Sequence, residues 1–246
     1  MSLHKRARAR EIYYPESDGE PMAETDLHRN LMVELISELE IFFQNDSDVY
    51  VSGNLLIYYV EGDPTKCFAP DVFVVRGASK HERRIYKLWE EGRAPDVVFE
   101  ITSRKTALKD AQQKSQLYAR LGVKEYFLYD PEYDWMPDGL AAYRLEDGQY
   151  VEVEIKDGSA YSKTLGLDVV DTGDTLRLRD PWTKHFLPTR QEMIEAQRLA
   201  EAARHQAEAA RQQAEARAQA EAEAREKAEA EIARLREELT RLRSQS

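Results

Sequence analysis

The chain has a single cysteine in 246 residues, Cys67, so an internal disulfide is excluded. A reducing, cytoplasmic setting is therefore the expectation, and Cys67 reads as a small apolar filler rather than a nucleophile. Apolar runs are short too: none approaches the roughly 18–20 residues that a bilayer-spanning helix needs. The opening stretch MSLHKRARAREIYY is basic, but no apolar segment follows it, so no secretory signal is expected there. There is no zinc-ligand spacing and no helix-turn-helix pattern, hence no recognisable module for reading bases. From Thr189 onward glycine and proline vanish, and every Trp and Tyr lies before that point.

Excess positive charge is also lacking. The net charge is −11, and the residues from Arg190 onward carry 11 Lys/Arg against 12 Asp/Glu, which leaves about −10 on the part before them. Phosphate binding needs local positive potential. An acidic head must draw it from a small basic patch or from bound metal ions.

What is present reads as an α/β head over residues 1–188. A helix is expected from about Glu24 to Phe43, capped by Thr25, with Leu27, Leu31, Leu35, Leu39 and Phe42 at helical spacing and Met32 and Ile36 widening the stripe. Extended segments follow at Val49–Ser52, Asn54–Val60 and Asp71–Val75, then a short helix around His81–Trp89. Asp96–Thr102 is a compact β-branched run of the kind buried on both faces of a sheet. A second helix fits Thr106–Leu121, with Gly122 at its C-terminal stop. Glu125–Tyr129 is another buried strand. Ala141–Leu145 and Tyr150–Ile155 flank Glu146-Asp147-Gly148-Gln149, a hairpin signal. Leu176–Leu178 closes the head.

Residues 189–246 form a second region, rich in Ala, Glu, Arg and Gln, the composition of a long helix. Arg204 and Glu208, Arg211 and Glu215, and Glu221 and Arg225 stand four apart with opposite charge. A seam of Met193, Ala196, Ala200, Ala203, Ala207, Ala210 and Ala214 passes through a charged stretch and resumes at Ala228, Ile232, Leu235, Leu239 and Leu242. The second part is the stronger seam, and a dimerising coiled coil is the expectation. The other reading is a single solvated helix.

Three segments could carry chemistry. Mg²⁺-assisted phosphodiester hydrolysis needs two acids to hold a hard cation and a lysine to position the attacking water. Pro70-Asp71 opens a strand, Glu100 stands near the end of DVVFEIT, and Lys114 lies on the helix that follows. Asp96 and Glu100 are four apart on one strand, about 13 Å at roughly 3.3 Å per residue, so they cannot share an ion. Glu100 needs a partner from a neighbouring strand, and Asp71 is best placed. The bland alternatives are a strand-end carboxylate paired to a lysine, and a Lys114 that snorkels outward. Lys105 reads as a solvated turn residue, and Ser103 and Thr106 as turn and cap.

The stretch Pro95 to Ser103, with Thr106, Asp110, Lys114, Tyr118, Gly122, Glu125-Tyr126 and Asp130-Pro131, resembles the signature of the Uma-type restriction endonuclease family of the PD-(D/E)XK nuclease superfamily. Pro70-Asp71-Val72 is similar to its upstream signature, and the helix holding His28 to its first helix. The resemblance implies a restriction-endonuclease-like mixed sheet of four strands flanked by helices, and Mg²⁺- or Mn²⁺-dependent cleavage of DNA. It implies Asp71 and Glu100 as metal-binding catalytic acids and Lys114 as the catalytic lysine. The superfamily's usual lysine, two residues after the acid, is Thr102 here, and Lys114 is expected to take over. His28 reads as a structural histidine. Two functions follow: a DNA endonuclease, homodimeric through its C-terminal helix, or a catalytically inactive nuclease fold that recruits partners through that coiled coil.

Overall fold

The computed structural model describes residues 12–17, 25–102 and 107–243, with backbone alone at 107–111, 239–240 and 242–243. In chain order the elements are α1 (Asp26–Phe42), β1 (Val49–Ser52), β2 (Ile57–Tyr58), β3 (Cys67–Phe68), β4 (Val72–Arg76), β5 (Tyr86–Lys87), α2 (Leu88–Glu91), β6 (Val97–Ile101), α3 (Ala107–Leu121), β7 (Glu125–Tyr129), β8 (Leu140–Glu146), β9 (Gln149–Glu152), β10 (Ser159–Ser162), β11 (Leu167–Asp171), β12 (Leu176–Arg179) and α4 (Arg190–Arg243). Alpha-carbon contacts divide the chain into two units, Met1–Arg190 and Gln191–Ser246.

The first unit is built on a mixed sheet of order β1-β4-β6-β7-β8-β9. Among the described residues of this sheet only β6 and β7 pair in parallel, and α3 makes the crossover that a parallel pair requires. Both strands are buried throughout, so they read as apolar runs without alternation. Their side chains still alternate between two cores. Val97, Phe99 and Ile101 face α1 and the β10-β11-β12 sheet. Val98, Tyr126 and Leu128 face α3 and the small β3-β2-β5 sheet. The fold is therefore α/β, with helices and minor sheets on both faces.

The four strands implied by the resemblance are six. The β8-β9 hairpin adds an edge, turned by Asp147 and Gly148, both with positive φ. Where a helix is expected over His81–Trp89, Tyr86–Lys87 pairs with β2, and only Leu88–Glu91 is helical. Burial of Tyr86 and its N–H bond to the Leu56 carbonyl outweigh local propensity. The Asn54–Val60 segment narrows to β2, because Asn54 takes a left-handed turn and bonds the Pro70 carbonyl. Strands β10 and β11 carry too short a pattern to read without their partners.

Thr25 caps α1, accepting from the His28 N–H at 3.2 Å. Leu31, Leu35 and Leu39 are buried as the stripe demands, whereas Leu27 and Phe42 at its ends are exposed. Glu38 lies inside instead, 1% exposed, accepting from Arg177 Nε at 2.9 Å and the Leu178 N–H at 3.2 Å. Burial pushes its carboxyl up to about 7 against an ordinary 4.5, despite Arg177. A raised folded value means stability present in full below about pH 4.5 and lost as pH rises through 7. Thermal unfolding of the parent should therefore weaken between pH 5 and 8, by on the order of 3 kcal/mol at about 1.4 kcal/mol per unit. Glu38→Gln should flatten that dependence; an unchanged slope would remove Glu38 as its source.

The second unit is α4, 54 residues and about 81 Å at 1.5 Å per residue. Arg211 bonds Glu215 at 2.8 Å, and Arg225 bonds Glu229 at 2.9 Å. No helix among the described residues is long and apolar enough to cross a membrane. Glu24, Ser103, Lys105 and Thr106, and the side chains of Asp110, Leu239 and Leu242, lie outside the described residues.

Candidate active site

Strand register brings the two acids together. Across β4 and β6, Val72 pairs with Phe99 and Phe73 with Val98, so one further step sets Asp71 opposite Glu100. Directly opposed residues of an antiparallel pair have Cβ atoms about 4.5–5.5 Å apart, close enough for two carboxylates to share a cation. Asp71 is anchored by the Ile101 N–H, which donates to Oδ2 at 2.7 Å. Its backbone is fixed as well. The Asn54 N–H bonds the Pro70 carbonyl, and a Cβ on Gly53 would lie 2.1 Å from the Asp71 carbonyl oxygen. Only glycine allows that approach.

Glu100 is 6% exposed, unusually buried for a carboxylate. Lys114 Nζ donates to its Oε2 at 2.7 Å, and the Tyr118 hydroxyl to Oε1. Burial pushes the Glu100 carboxyl above its ordinary value, the Lys114 ammonium opposes this, and the Asp71 charge adds to the rise. Tyr118 is raised well above the phenol range by burial and by Glu100, so it is neutral and a donor. On α3, Lys114 and Tyr118 are four apart and share a face. The Lys114 side chain is 37% exposed, which leaves its ammonium within reach of solvent.

The structure thus gathers Asp71, Glu100 and Lys114 from β4's entry, β6 and α3. Both readings of Glu100 meet here, because its lysine partner is the candidate Lys114 itself. Asp96 is engaged elsewhere, with Lys124 Nζ at 2.7 Å and the Arg76 N–H at 2.6 Å. Two neighbours, both noted in the sequence, are not among its candidate site residues. His28 Nε2 lies 3.1 Å from Asp71 Oδ1, which brings the first turn of α1 to the site. Tyr118 stands in the sequence as part of the signature that carries the resemblance; its spacing of four from Lys114 is the signal that could have revealed its role. Thr102, in the place of the superfamily's lysine, is buried, and its hydroxyl has no partner among the described residues.

Among the described residues no group of three or more His, Cys, Asp or Glu is placed to hold a metal. The candidate donor set is therefore the Asp71–Glu100 pair. Two carboxylates suit Mg²⁺, which keeps several waters and takes one or two carboxylates beside substrate phosphate. Burial is the main cause of the Glu100 rise, and the smaller repulsion from Asp71 is what a cation between the two would relieve.

A family model described as "Uma2: Putative restriction endonuclease" matches residues 3–172. The chain belongs to the Uma2 family. All three gathered residues fall within the matched span, and α4 lies beyond it. A similar solved structure is a protein of Anabaena variabilis described as "a putative nuclease belonging to DUF820", 16% identical, with 58% of this chain and 75% of that chain covered and a TM-score of 0.45. No curated protein matches the chain.

Proposed function

We propose that this Uma2 protein is a divalent-metal-dependent endonuclease that hydrolyses DNA phosphodiester bonds. One observation carries the reading: a buried carboxylate, its cross-strand acidic partner and a lysine converge from three separate elements. A carboxylate so placed costs several kcal/mol of desolvation unless paired. Glu100 is paired with Lys114, but a buried ion pair adds little to stability, so a function explains its placement better.

Asp71 and Glu100 would hold Mg²⁺ or Mn²⁺, which when bound supplies Lewis-acid polarisation of the phosphoryl oxygen. Lys114, partly exposed beside Glu100, orients the attacking water and offsets charge developing on the phosphate. Tyr118 keeps Glu100 in one orientation from beneath, and His28 does the same for Asp71. The local cation and the metal supply the positive potential that the acidic head lacks.

The test is plasmid nicking with Mg²⁺ or Mn²⁺ by the parent and by Asp71→Ala. The parent should cut, and the variant should fall by roughly 10³-fold. Equal cutting by both would remove Asp71 from the mechanism. No cutting by either would favour the inactive, partner-recruiting fold.

A homodimer through α4 is part of this proposal. Ile232 and Leu235, three apart on α4, stand 49% and 51% exposed, as a seam awaiting a partner would. Two heads would give two sites, suited to cutting both strands. Sedimentation should report a dimer for the parent and monomer for Leu235→Glu; a monomeric parent would dismiss the seam.

A further inference from the structure

Beside the site, between α3 and strands β7 to β9, lies a cavity of about 540 Å³, within the roughly 300–1,000 Å³ usual for small-ligand sites. Its walls are aromatic. Tyr126 and Tyr143 lie nearly parallel, 5.8 Å apart, with Tyr150 tilted against both, and Trp135 and Met136 are among the other lining residues. The loop bearing Trp135 and Met136 is pre-organised, because their two backbone N–H groups donate to Asp130 Oδ2 at 3.0 Å each.

On two of the lining side chains the polar atoms, Tyr126 Oη and Trp135 Nε1, are buried and have no hydrogen-bond partner among the described residues. An indole N–H is a donor only, so its complement is a ring acceptor or carbonyl. Tyr126 also lies within the electrostatic reach of Glu100 and Asp71, which ties the cavity to the carboxylates. The acidic side chains Asp138 and Glu152 contribute to the lining and disfavour a phosphate inside. A second cavity, of about 400 Å³, shares Ser115 and Tyr150 with the first and adds the cationic Arg120 further along α3.

We infer that the aromatic cavity receives one unpaired nucleobase, while the flanking backbone runs past Arg120 and Lys114. Neutral, planar and rich in acceptors, a base matches walls that a phosphate does not, and aromatic platforms beside a cationic track are how single strands are held. The substrate class is then nucleic acid with a single-stranded or extruded nucleotide at the cut. The inference rests on the nuclease reading for the identity of its ligand.

The probe is a short single-stranded deoxyoligonucleotide with one 2-aminopurine, compared with the same strand carrying an abasic residue there. Both are titrated against the full chain in EDTA, so that no cutting intervenes. The parent should bind the base-bearing strand about tenfold more tightly than the abasic one, the effect expected for one stacked base. Trp135→Ala should abolish that difference, and Trp135→Phe, which retains a ring but no N–H, should retain part of it. Equal affinity of the parent for both strands, a result that requires no variant to fold, would overturn the proposal. Base-dependent binding without nicking would leave the pocket and sink the nuclease; nicking with base-independent binding would do the reverse.

Discussion

Glu100→Gln is expected to cut metal-dependent cleavage by roughly 10³-fold, about 4 kcal/mol of barrier, without lowering the melting temperature. The two halves of that result come from one fact. Glu100 is a buried acid whose charged form the protein disfavours, even with Lys114 against it. Glutamine keeps the shape, and its amide oxygen can accept from Lys114 while its NH2 donates to the Tyr118 hydroxyl, but it removes the buried charge and a good ligand for a hard cation. The lysine left behind is 37% exposed and can turn its ammonium to water. Nicking rate, thermal unfolding and calorimetric Mg²⁺ titration check it together. Cleavage within about tenfold of the parent would mean that Glu100 is not a metal ligand. A melting point several degrees lower would mean that the pair is there for stability.

Lys114→Met should have the opposite thermal outcome. Cleavage is expected to fall on the order of 10²- to 10³-fold, because the water-positioning cation is gone. Stability should fall too, since Glu100 is then buried without its ammonium, and breaking such a pair costs about 3–5 kcal/mol. The loss should depend on pH. Lys114 is what lowers the Glu100 carboxyl, so its removal lifts a value already above 4.5. A group with a raised folded value stabilises below its unfolded value, and that contribution disappears as pH rises through the folded one. The variant should therefore melt close to the parent near pH 5 and well below it near pH 8. A deficit of equal size at both would separate Lys114 from Glu100's protonation.

These contrasts turn on a contact that the sequence indicates only in outline. Glu100 stands out as an acid in an apolar strand, and strand length alone rules out Asp96 as its partner. Asp71 follows as the nearest acid on another strand, and β4-β6 register sets it opposite. Lys114 is out of pattern on its helix for the same reason, a charge where the stripe predicts none. Tyr118 and His28 offer no such anomaly. A tyrosine in an apolar stripe and a histidine after a cap are locally ordinary, and they matter only because α3 and α1 bring them to Glu100 and Asp71.

What the sequence determined by itself is the content of its long, periodic or uniformly apolar segments: α1, β6, α3, β7 and the helical tail. In those, local spacing and burial point the same way. Tertiary structure alone decided the short pieces and the meetings between them. Strands of two residues such as β2, β3 and β5 have no periodicity to read and exist through their partners' hydrogen bonds. The depth of Glu38 and Glu100, and hence their raised carboxyls, depends on tertiary burial, and the residues that hold the rise in check, Arg177 and Leu178 for one and Lys114 and Tyr118 for the other, come from other elements. Desolvation is a property of the packed interior, so no local pattern encodes it.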